Sequence, residues 1–250
     1  MSQASVTAFS QTPHSPTLSE RIAGIDWLRI EAELDERGYG AIGPLLSSDE
    51  CAELVSGYGD DTVYRSKVIM ARHGFGQGEY KYYSYPLPGL IAELRADLYP
   101  RLSGIANRWY QAMKLEDQFP DDHQTYLAHC HRAGQSRPTP LQLKYGPGDY
   151  NCLHRDLYGD AVFPLQVAFL LNAPENDFTG GEFVLTEQRP RRQSRVEVVS
   201  LAQGEGVVFA VNQRPMQGAR GTYRVAMRHG VSPLRSGCRH TLGIIFHDAT

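Results

Sequence analysis

The sequence predicts a mainly β protein, either a sandwich or a double-sheet barrel, preceded by bracing helices. After Pro140 the hydrophobic pattern changes from helical spacing to short β-branched or aromatic runs separated by Gly, Pro and Asn. The gaps between these runs are mostly too short for crossover helices, which favours antiparallel pairing. The predicted strands are Leu141–Tyr145, Leu165–Leu171, Gly181–Thr186, Arg195–Leu201, Gly206–Val211, Tyr223–Val231 and Arg239–Phe246.

Helical patterns in the first half of the chain predict elements that brace one side of the sheet. Apolar residues at spacings of three and four predict a helix over Asp26–Arg37, ended by Gly38. A short strand over Tyr39–Leu45 follows. The S-x-x-E capping box of Ser47–Glu50 then predicts a second helix that runs to about Gly57.

The chain between these helices and the strands is less regular. Helical spacing returns over Gly89–Met113, where Pro100 marks either a kink or the first turn of another helix. Gly74–Tyr85 is rich in glycine and then in tyrosine, so we expect a mobile, near-surface segment, and whether it is a substrate lid stays open. The histidines of His123–His131 are typical of a loop rather than of a metal site.

Length and composition bound the organisation of the chain. With 250 residues, 41% of them hydrophobic and 21% charged, the sequence suits one generous globular domain. We expect residues 1–20 to form a loose tail, residues 21–140 a helical and loop lead-in packed on the core, and residues 141–250 the β core. The tail lacks the features of a secretion signal, and no apolar run approaches the roughly 20 residues of a membrane span.

The cysteines and charges point to a compartment and to a ligand class. The four cysteines form no C-x-x-C pair, which favours reduced thiols in a cytoplasmic protein over a zinc knuckle or a disulfide framework. Acidic residues outnumber basic ones in residues 1–100, whereas basic residues outnumber acidic ones in residues 186–250. The C-terminal quarter therefore favours an anionic co-substrate or substrate.

Two spaced motifs carry candidate chemistry. His154 and Asp156 follow a strand and turn, and in extended backbone residues two apart face the same way and reach one ion. A third ligand must come from elsewhere, and a 2-His-1-carboxylate face leaves open positions for oxygen and a chelating substrate. The second motif, within Arg228–Thr241, contains a histidine, a turn and then Arg-x-Thr at the start of an apolar strand. In isolation, the first motif also fits a surface loop with a salt-bridged aspartate.

The order of these motifs resembles the double-stranded β-helix domain of Fe(II)/2-oxoglutarate oxygenases, especially the prolyl-hydroxylase-like branch. The resemblance is carried by Gln142–Asp156, Gly180–Phe183, Gly204–Phe209, His229 and Arg239. Over most of the chain the sequence is also similar to a bacterial family described as oxygenases acting on damaged alkylated DNA. The resemblance implies a jelly-roll, cupin-like core over residues 141–250.

The resemblance also implies roles for individual residues. It assigns the Fe(II) ligands to His154, Asp156 and His229. Arg239 would bind the distal carboxylate of 2-oxoglutarate, for which a planar guanidinium is well suited, and Thr241 and Tyr145 would add hydrogen bonds. The structural alternatives are that Arg239 pairs with a core acid, that Tyr145 only packs, and that the histidine of the second motif is a hydrogen-bonded core residue.

The implied reaction is hydroxylation of a C–H bond with Fe(II), 2-oxoglutarate and O2, which releases succinate and CO2, with ascorbate as a candidate reductant. Hydroxylation of a methyl group on nitrogen releases formaldehyde. One specific hypothesis is therefore oxidative demethylation of alkylated bases in single-stranded or duplex DNA. A prolyl-type protein side chain or a small metabolite is the alternative substrate. A non-catalytic 2-oxoglutarate-binding sensor is the second alternative, and the oligomeric state stays open.

Two segments are candidates for DNA contact. Tyr80, Tyr82 and Tyr83 would stack on an extruded base, and Arg191 and Arg192 would neutralise phosphates. A solvated hairpin loop and tyrosines packed over a core are the alternative interpretations.

One departure concerns the last strand. The well-known alkylation-repair oxygenases carry a second arginine on this strand, which Arg239-His240-Thr241 and the residues after it lack. Equivalence to those repair enzymes is therefore open. Strand alternation also predicts that His240 points away from Arg239, to the exterior.

Overall fold

Helices cover the N-terminal half of the computed structural model, which describes residues 15–250. They are α1 (Leu18–Ala23), α2 (Trp27–Arg37), α3 (Ser48–Gly57), α4 (Gly89–Met113) and α5 (His123–Arg132). Helix α1 follows a reciprocal capping box between Thr17 and Glu20. The predicted tail of residues 1–20 is therefore wrong for its last three residues, and residues 1–14 lie outside the described residues.

The capping signals of the sequence locate α2 and α3. Asp26 accepts a hydrogen bond from the backbone of Arg29, and Gly38 ends α2 in the left-handed region with a φ of 82°. Ser47 and Glu50 form the expected reciprocal box at the start of α3. Both predicted helices are confirmed.

One helical prediction is narrowed to one of its alternatives, and another is wrong. Helix α4 runs without a break from Gly89 to Met113 and contains Pro100, so no new helix begins there. The His123–His131 segment is not a loop but belongs to α5, whose N-cap Asp122 accepts from the backbone of Thr125. Its buried residues, at spacings of three and four, supply the apolar face that stabilises the helix against the core.

Fifteen strands make up the β part of the described chain, and all named strand pairs are antiparallel, as predicted. They are β1 (Tyr39–Ile42), β2 (Tyr64–Ile69), β3 (Gly76–Gln77), β4 (Glu79–Tyr83), β5 (Leu141–Tyr145), β6 (Tyr150–His154), β7 (Leu165–Leu170), β8 (Phe178–Gly180), β9 (Phe183–Gln188), β10 (Arg195–Val199), β11 (Gly206–Ala210), β12 (Gln213–Gly218), β13 (Gly221–Val231), β14 (Leu234–Gly237) and β15 (Arg239–Ile244).

The strands form two large sheets. One has the order β1-β11-β7-β15-β5-β4-β2, and the other has the order β10-β9-β13-β6-β3, with β12 attached to β13. Strands β8 and β14 form a small separate ladder. This is a jelly-roll of open sheets rather than a closed barrel, which confirms the predicted fold class.

Strands from the lead-in complete the larger sheet. Strand β4 is hydrogen-bonded to β2 on one side and to β5 on the other. The expectation of a mobile, near-surface Gly74–Tyr85 is therefore wrong for residues 79–83, where Tyr83 is only 2% exposed. Because the sheet continues across residue 140, we propose that residues 21–140 and 141–250 fold as one structural unit.

An aromatic core joins the helices to the sheet. Tyr99 of α4 and Tyr126 of α5 stack with ring centroids 5.3 Å apart, and both contact Phe163. Burial of each such side chain contributes roughly 1.5–3 kcal/mol, so this cluster fixes α4 and α5 on one side of the fold. Within the described chain, every helix falls short of the combination of length and apolarity needed to cross a bilayer.

Candidate metal centre

The three predicted metal-binding side chains meet where β6 lies beside β13. His154 ends β6, and His229 of β13 is its partner in the register. Asp156 lies two residues beyond His154, in the segment that leaves the sheet. Directly opposed residues of an antiparallel pair place their side chains on the same face. One potential ligand atom of each residue lies within 4.8 Å of the others, a spacing that a single metal ion can bridge.

The donor atoms of these residues converge. Asp156 Oδ1 lies 3.4 Å from His154 Nε2, and its Oδ2 lies 3.2 Å from His229 Nε2. His154 Nδ1 donates a hydrogen bond to the Cys152 carbonyl at 2.8 Å. This bond selects the tautomer in which Nε2 keeps its lone pair, as a metal ligand requires. His229 is 6% exposed, and its Nδ1 has no hydrogen-bond partner among residues 15–250, so its contact within the centre is the one that its Nε2 makes with Asp156.

The electrostatics favour an ionised carboxylate. Burial alone would raise the pKa of Asp156, but its interactions with the neighbouring His154 and His229 outweigh burial and hold the pKa well below its usual value. Burial lowers the pKa of His229, and the neighbouring His154 lowers it further. The centre thus offers a carboxylate and a neutral imidazole, which are the forms that bind metal.

A cavity of about 370 Å³ opens from this centre. Its buried part includes Tyr145, Arg239 and Thr241, whereas Phe75 and Leu153 line it with 47% and 45% of their surface exposed. The candidate metal-binding side chains line the same cavity as the buried guanidinium of Arg239.

Arg239 is a buried cation without a carboxylate partner among residues 15–250. It is 3% exposed, its Nη1 donates to Thr241 Oγ1 at 2.6 Å, and its Nε has no partner. Burial lowers the pKa of Arg239, while nearby Tyr145 and Glu182 raise it without forming an ion pair with it. Tyr145 is its register partner on β5, and the Tyr145 hydroxyl is likewise buried and unpartnered. Such unpaired polar groups are costly to bury, so this end of the cavity fits an anionic ligand.

Residues 78–249 match the Oxygenase-NA family, which is described as an oxygenase catalysing oxidative methylation of damaged DNA. The chain belongs to this family. A protein of Mycobacterium tuberculosis (strain CDC 1551 / Oshkosh), named only as uncharacterised, is 51% identical over 164 residues, which are 66% of this chain and 70% of that protein.

The fold of this Oxygenase-NA member is found in solved oxygenase structures. A prolyl hydroxylase from Trichoplax adhaerens, in complex with a hypoxia inducible factor oxygen degradation domain peptide fragment, gives a TM-score of 0.57 at 16% identity, covering 90% of both chains. A 2OG-Fe(II) oxygenase family oxidoreductase from Burkholderia pseudomallei gives 0.53 at 15% identity, covering 90% of this chain and 92% of its own. Family membership makes the chain an oxygenase and therefore an enzyme. The solved structures show that its fold is shared with a 2OG-Fe(II) oxygenase family oxidoreductase and with a prolyl hydroxylase.

Two further residues of this Oxygenase-NA member hold the carboxylate of Asp156. The Tyr158 hydroxyl donates to Oδ1 at 2.8 Å, and Gln166 Nε2 donates to Oδ2 at 2.9 Å. Both carboxylate oxygens therefore have a fixed orientation, which is how residues around a metal site orient its ligands. The sequence pattern did not identify these residues. The proximity of Tyr158 to Asp156, two residues away in the sequence, could have indicated its role. Gln166 belongs to β7, and nothing in the sequence pattern linked it to Asp156.

The tyrosines predicted to contact DNA have different positions in the oxygenase. Tyr80 lines the cavity. Tyr82 is 8% exposed and packs under Arg65, with the guanidinium carbon 4.5 Å from its ring centroid. Tyr83 belongs to the helix-facing core and donates to Gln142 at 2.7 Å. Tyr82 and Tyr83, at 8% and 2% exposure, do not present their rings to a base, which goes against the prediction for these two residues.

The predicted basic contacts lie away from the cavity of the oxygenase. Arg191 and Arg192 belong to the turn between β9 and β10 and do not line the cavity. The turn begins after Gln188, which is three residues beyond Leu185, the register partner of His229. At the rise of a strand, these three residues separate the turn from Leu185 by about 10 Å.

His240 is 5% exposed rather than exterior. It faces away from the cavity, as alternation predicts, but packs against Tyr58 with ring centroids 5.4 Å apart.

The sequence analysis did not single out Phe75 and Arg155, which also line the cavity.

Proposed function

We propose that this oxygenase binds Fe(II) and 2-oxoglutarate in the cavity and oxidises a C–H bond on an alkylated base of DNA. The observation that carries the proposal is the pairing of a two-histidine, one-carboxylate centre with the unpaired, buried Arg239 in one cavity. A complete donor set and an intact anion site favour catalysis over a 2-oxoglutarate-binding sensor.

The metal is assigned to His154, Asp156 and His229, whose donor atoms converge and whose remaining side faces the cavity. Two imidazoles and one carboxylate with open positions are the donor set of non-haem Fe(II) oxygenases. Bound Fe(II), together with 2-oxoglutarate and O2, supplies the oxidation of a C–H bond with release of succinate and CO2, and ascorbate serves as a reductant in our proposal.

The co-substrate is assigned to the deep end of the cavity. The guanidinium of Arg239 pairs with the distal carboxylate of 2-oxoglutarate, and its free Nε is available for a second parallel bond. Thr241 already orients that guanidinium, and the unpartnered Tyr145 hydroxyl is free to donate to the same carboxylate. Binding thereby satisfies two polar groups that the protein alone leaves unpaired.

The substrate assignment is supported by the family description and by the cavity wall. Phe75 and Tyr80 are among the aromatic side chains that line the cavity, and such side chains suit a flat base that has been extruded from its stack. Hydroxylation of a methyl group on a ring nitrogen releases formaldehyde, so the net reaction is demethylation. In our proposal Arg191 and Arg192 contact phosphates of the flanking strand, outside the cavity.

Succinate formation tests the proposal. The protein is incubated with Fe(II), 2-oxoglutarate, ascorbate and a single-stranded oligonucleotide containing 1-methyladenine, and the oligonucleotide mass is followed. We expect succinate and the loss of one methylene unit, both abolished by His154→Ala. His129→Ala removes an exposed histidine of α5 outside the centre and is the matched control. The absence of succinate above the His154→Ala level contradicts the proposal, and oxygen added to a proline-containing peptide, with DNA unchanged, points to a protein substrate.

A further inference from the structure

Arg155 places a second guanidinium group in the cavity. It lies between His154 and Asp156 in the chain and lines the same cavity. The side chain is partly buried, and its Nε is shielded from solvent without a hydrogen-bond partner among residues 15–250. Arg155 also takes part in none of the ion pairs of the described chain.

Two other arginines of the C-terminal half, both near the β9–β10 turn, are already neutralised. Arg189 and Arg195, which flank the β9–β10 turn, form ion pairs of 2.6 Å and 2.7 Å with Glu187 and Glu197. Arg155 has no such partner, although burying part of an unpaired guanidinium costs free energy. Its charge is therefore available to a ligand.

The charges of the loaded cavity leave a place for an anion. Among its lining residues, Asp156 is the carboxylate, while Arg155 and Arg239 are the guanidinium groups. In the proposed function the two charges of Fe(II) are balanced by the two carboxylates of 2-oxoglutarate, and Asp156 balances one arginine. One positive charge remains, and apolar walls strengthen its attraction for a negative group.

The surroundings of Arg155 indicate what carries that negative group. Leu153 and Phe75 line the cavity with about half of their surface exposed, so the flat, apolar part of a substrate meets them where the cavity opens. A nucleotide joins a flat base to an anionic phosphate at a distance of a few ångströms. A guanidinium beside an aromatic wall recognises both parts.

We infer that Arg155 binds the phosphate adjacent to the base that is oxidised. The substrate is then a strand of DNA whose base enters the cavity and whose backbone is held by Arg155. This inference rests on the proposed function. It makes Arg155 a substrate-binding residue distinct from the co-substrate residue Arg239.

Binding of neutral-linkage oligonucleotides tests the inference. Fluorescence anisotropy measures the affinity for a short, single-stranded oligonucleotide containing 1-methyladenine, under anaerobic conditions with Fe(II) and 2-oxoglutarate. Two further versions replace the 5′ or the 3′ phosphate of that nucleotide by an uncharged methylphosphonate. We expect one of these to bind the wild-type protein about tenfold more weakly, and Arg155→Gln to lose a similar factor with the normal strand. The Arg155→Gln variant is expected to bind the normal strand and that methylphosphonate version with the same affinity.

Salt dependence and variants complete the test. The slope of log affinity against log salt is expected to fall by about 0.7 in Arg155→Gln and to be restored in Arg155→Lys. Arg101→Gln, an exposed arginine of α4 outside the cavity, is the matched control, and thermal unfolding checks that each variant is folded.

Two results overturn the inference. One is an equal effect of the methylphosphonate in the wild type and in Arg155→Gln, and the other is wild-type binding of acidic peptides but not of DNA. Succinate formation in the absence of DNA distinguishes failure of the inference from failure of the proposed function. If DNA binds normally but no succinate forms, the proposed oxidation is contradicted and the phosphate contact still stands.

Discussion

Arg239 and Tyr145 face each other across β15 and β5, and each has a buried polar atom without a partner among residues 15–250. In a folded protein such atoms normally have partners, because leaving one unpaired costs about 1–3 kcal/mol. Their common position in the cavity indicates that a ligand supplies the missing acceptor. The same pair therefore gives the most direct test of the co-substrate site.

Arg239→Lys is expected to raise the KM for 2-oxoglutarate about 100-fold, because a single ammonium cannot reproduce the two parallel bonds of a guanidinium. Tyr145→Phe removes one neutral donor and is expected to raise KM about fivefold. Succinate formation at varied 2-oxoglutarate measures both, and calorimetric titration with Co(II) checks that metal binding is retained. An unchanged KM in Arg239→Lys would contradict the assignment.

Gln166 and Tyr158 are expected to tune metal affinity through Asp156. Gln166→Met and Tyr158→Phe each remove one hydrogen bond to the carboxylate, and loss of such an orienting bond typically weakens metal binding by about 10–100-fold. Co(II) titration measures the affinity, and the visible spectrum of bound Co(II) reports a changed ligand geometry. Gln124→Met, an exposed glutamine of α5, is the control. Wild-type affinity and spectrum in both variants would argue against a positioning role.

The convergence of two of the candidate metal residues could be predicted because their spacing in the sequence fixes their geometry. Two residues apart in extended backbone, His154 and Asp156 necessarily share a face. What the sequence cannot supply is the register of β13 beside β6, since the pairing of His229 with His154 joins strands 75 residues apart. The prediction that His229 joins His154 and Asp156 therefore depended on the order of the motifs and on the family resemblance.

The positions of the candidate substrate residues were harder to predict because burial depends on both faces of a strand. Tyr80 and Tyr82 share one face of β4, and Lys81 and Tyr83 share the other. The glycine and tyrosine content of this segment predicted a near-surface position, yet Lys81 is 4% exposed and bonded to Asp61 at 2.6 Å. Only the packing of the lead-in on the sheet, which is a tertiary property, distinguishes the cavity tyrosine from the core tyrosines.

Gly181 is expected to be required for the position of Arg239. Its φ is 64°, and a Cβ there would lie 2.7 Å from Leu234 Cδ1 and 3.0 Å from Arg239 Cδ. Gly181→Ala therefore strains the backbone by about 1–2 kcal/mol and displaces the arginine, raising the KM for 2-oxoglutarate. Gly43→Ala meets no atom within 4 Å and serves as the control. Urea unfolding and succinate kinetics measure the two effects, and equal behaviour of the two variants would remove this role.

Stability is expected to fall with acid because of buried histidines. Burial lowers the pKa of His123 and His247 to about 4, with a further contribution from Arg95. In the unfolded chain both take up protons near pH 6.5, so their contribution is complete above pH 6.5 and is lost as the pH falls from there towards 4. At pH 5 the loss is about 2 kcal/mol for each histidine.

His123→Phe tests this linkage. The difference in unfolding free energy between pH 7 and pH 5, measured by urea denaturation, is expected to shrink by about 2 kcal/mol relative to the wild-type difference. The absolute stability also changes, because His123 Nε2 is bonded to the Phe246 carbonyl at 2.9 Å. Only the pH-dependent part is diagnostic. A variant that retains the full wild-type difference would show that His123 is protonated in the folded protein.

Phe75 is held beside the cavity by its backbone, and this makes its ring a defined surface for a base. Its amide donates to Met70 at 3.2 Å, its carbonyl accepts from Cys152 of β6 at 2.9 Å, and its ring stacks on His73 with centroids 5.3 Å apart. An aromatic ring that stacks on a base contributes about 1–3 kcal/mol. Phe75→Ala is therefore expected to raise the KM for methylated DNA at least fivefold.

The KM for 2-oxoglutarate separates this effect from general damage to the site. It is expected to stay within about twofold of wild type in Phe75→Ala, because the proposed co-substrate site is at Arg239 and a twofold change is well below the free energy of one stacking contact. Leu28→Ala, which truncates a side chain of α2 that is 81% exposed, controls for the loss of a surface apolar group. If both KM values rise together in Phe75→Ala, the ring supports the cavity rather than the base, and the aromatic contact must then be assigned to Tyr80.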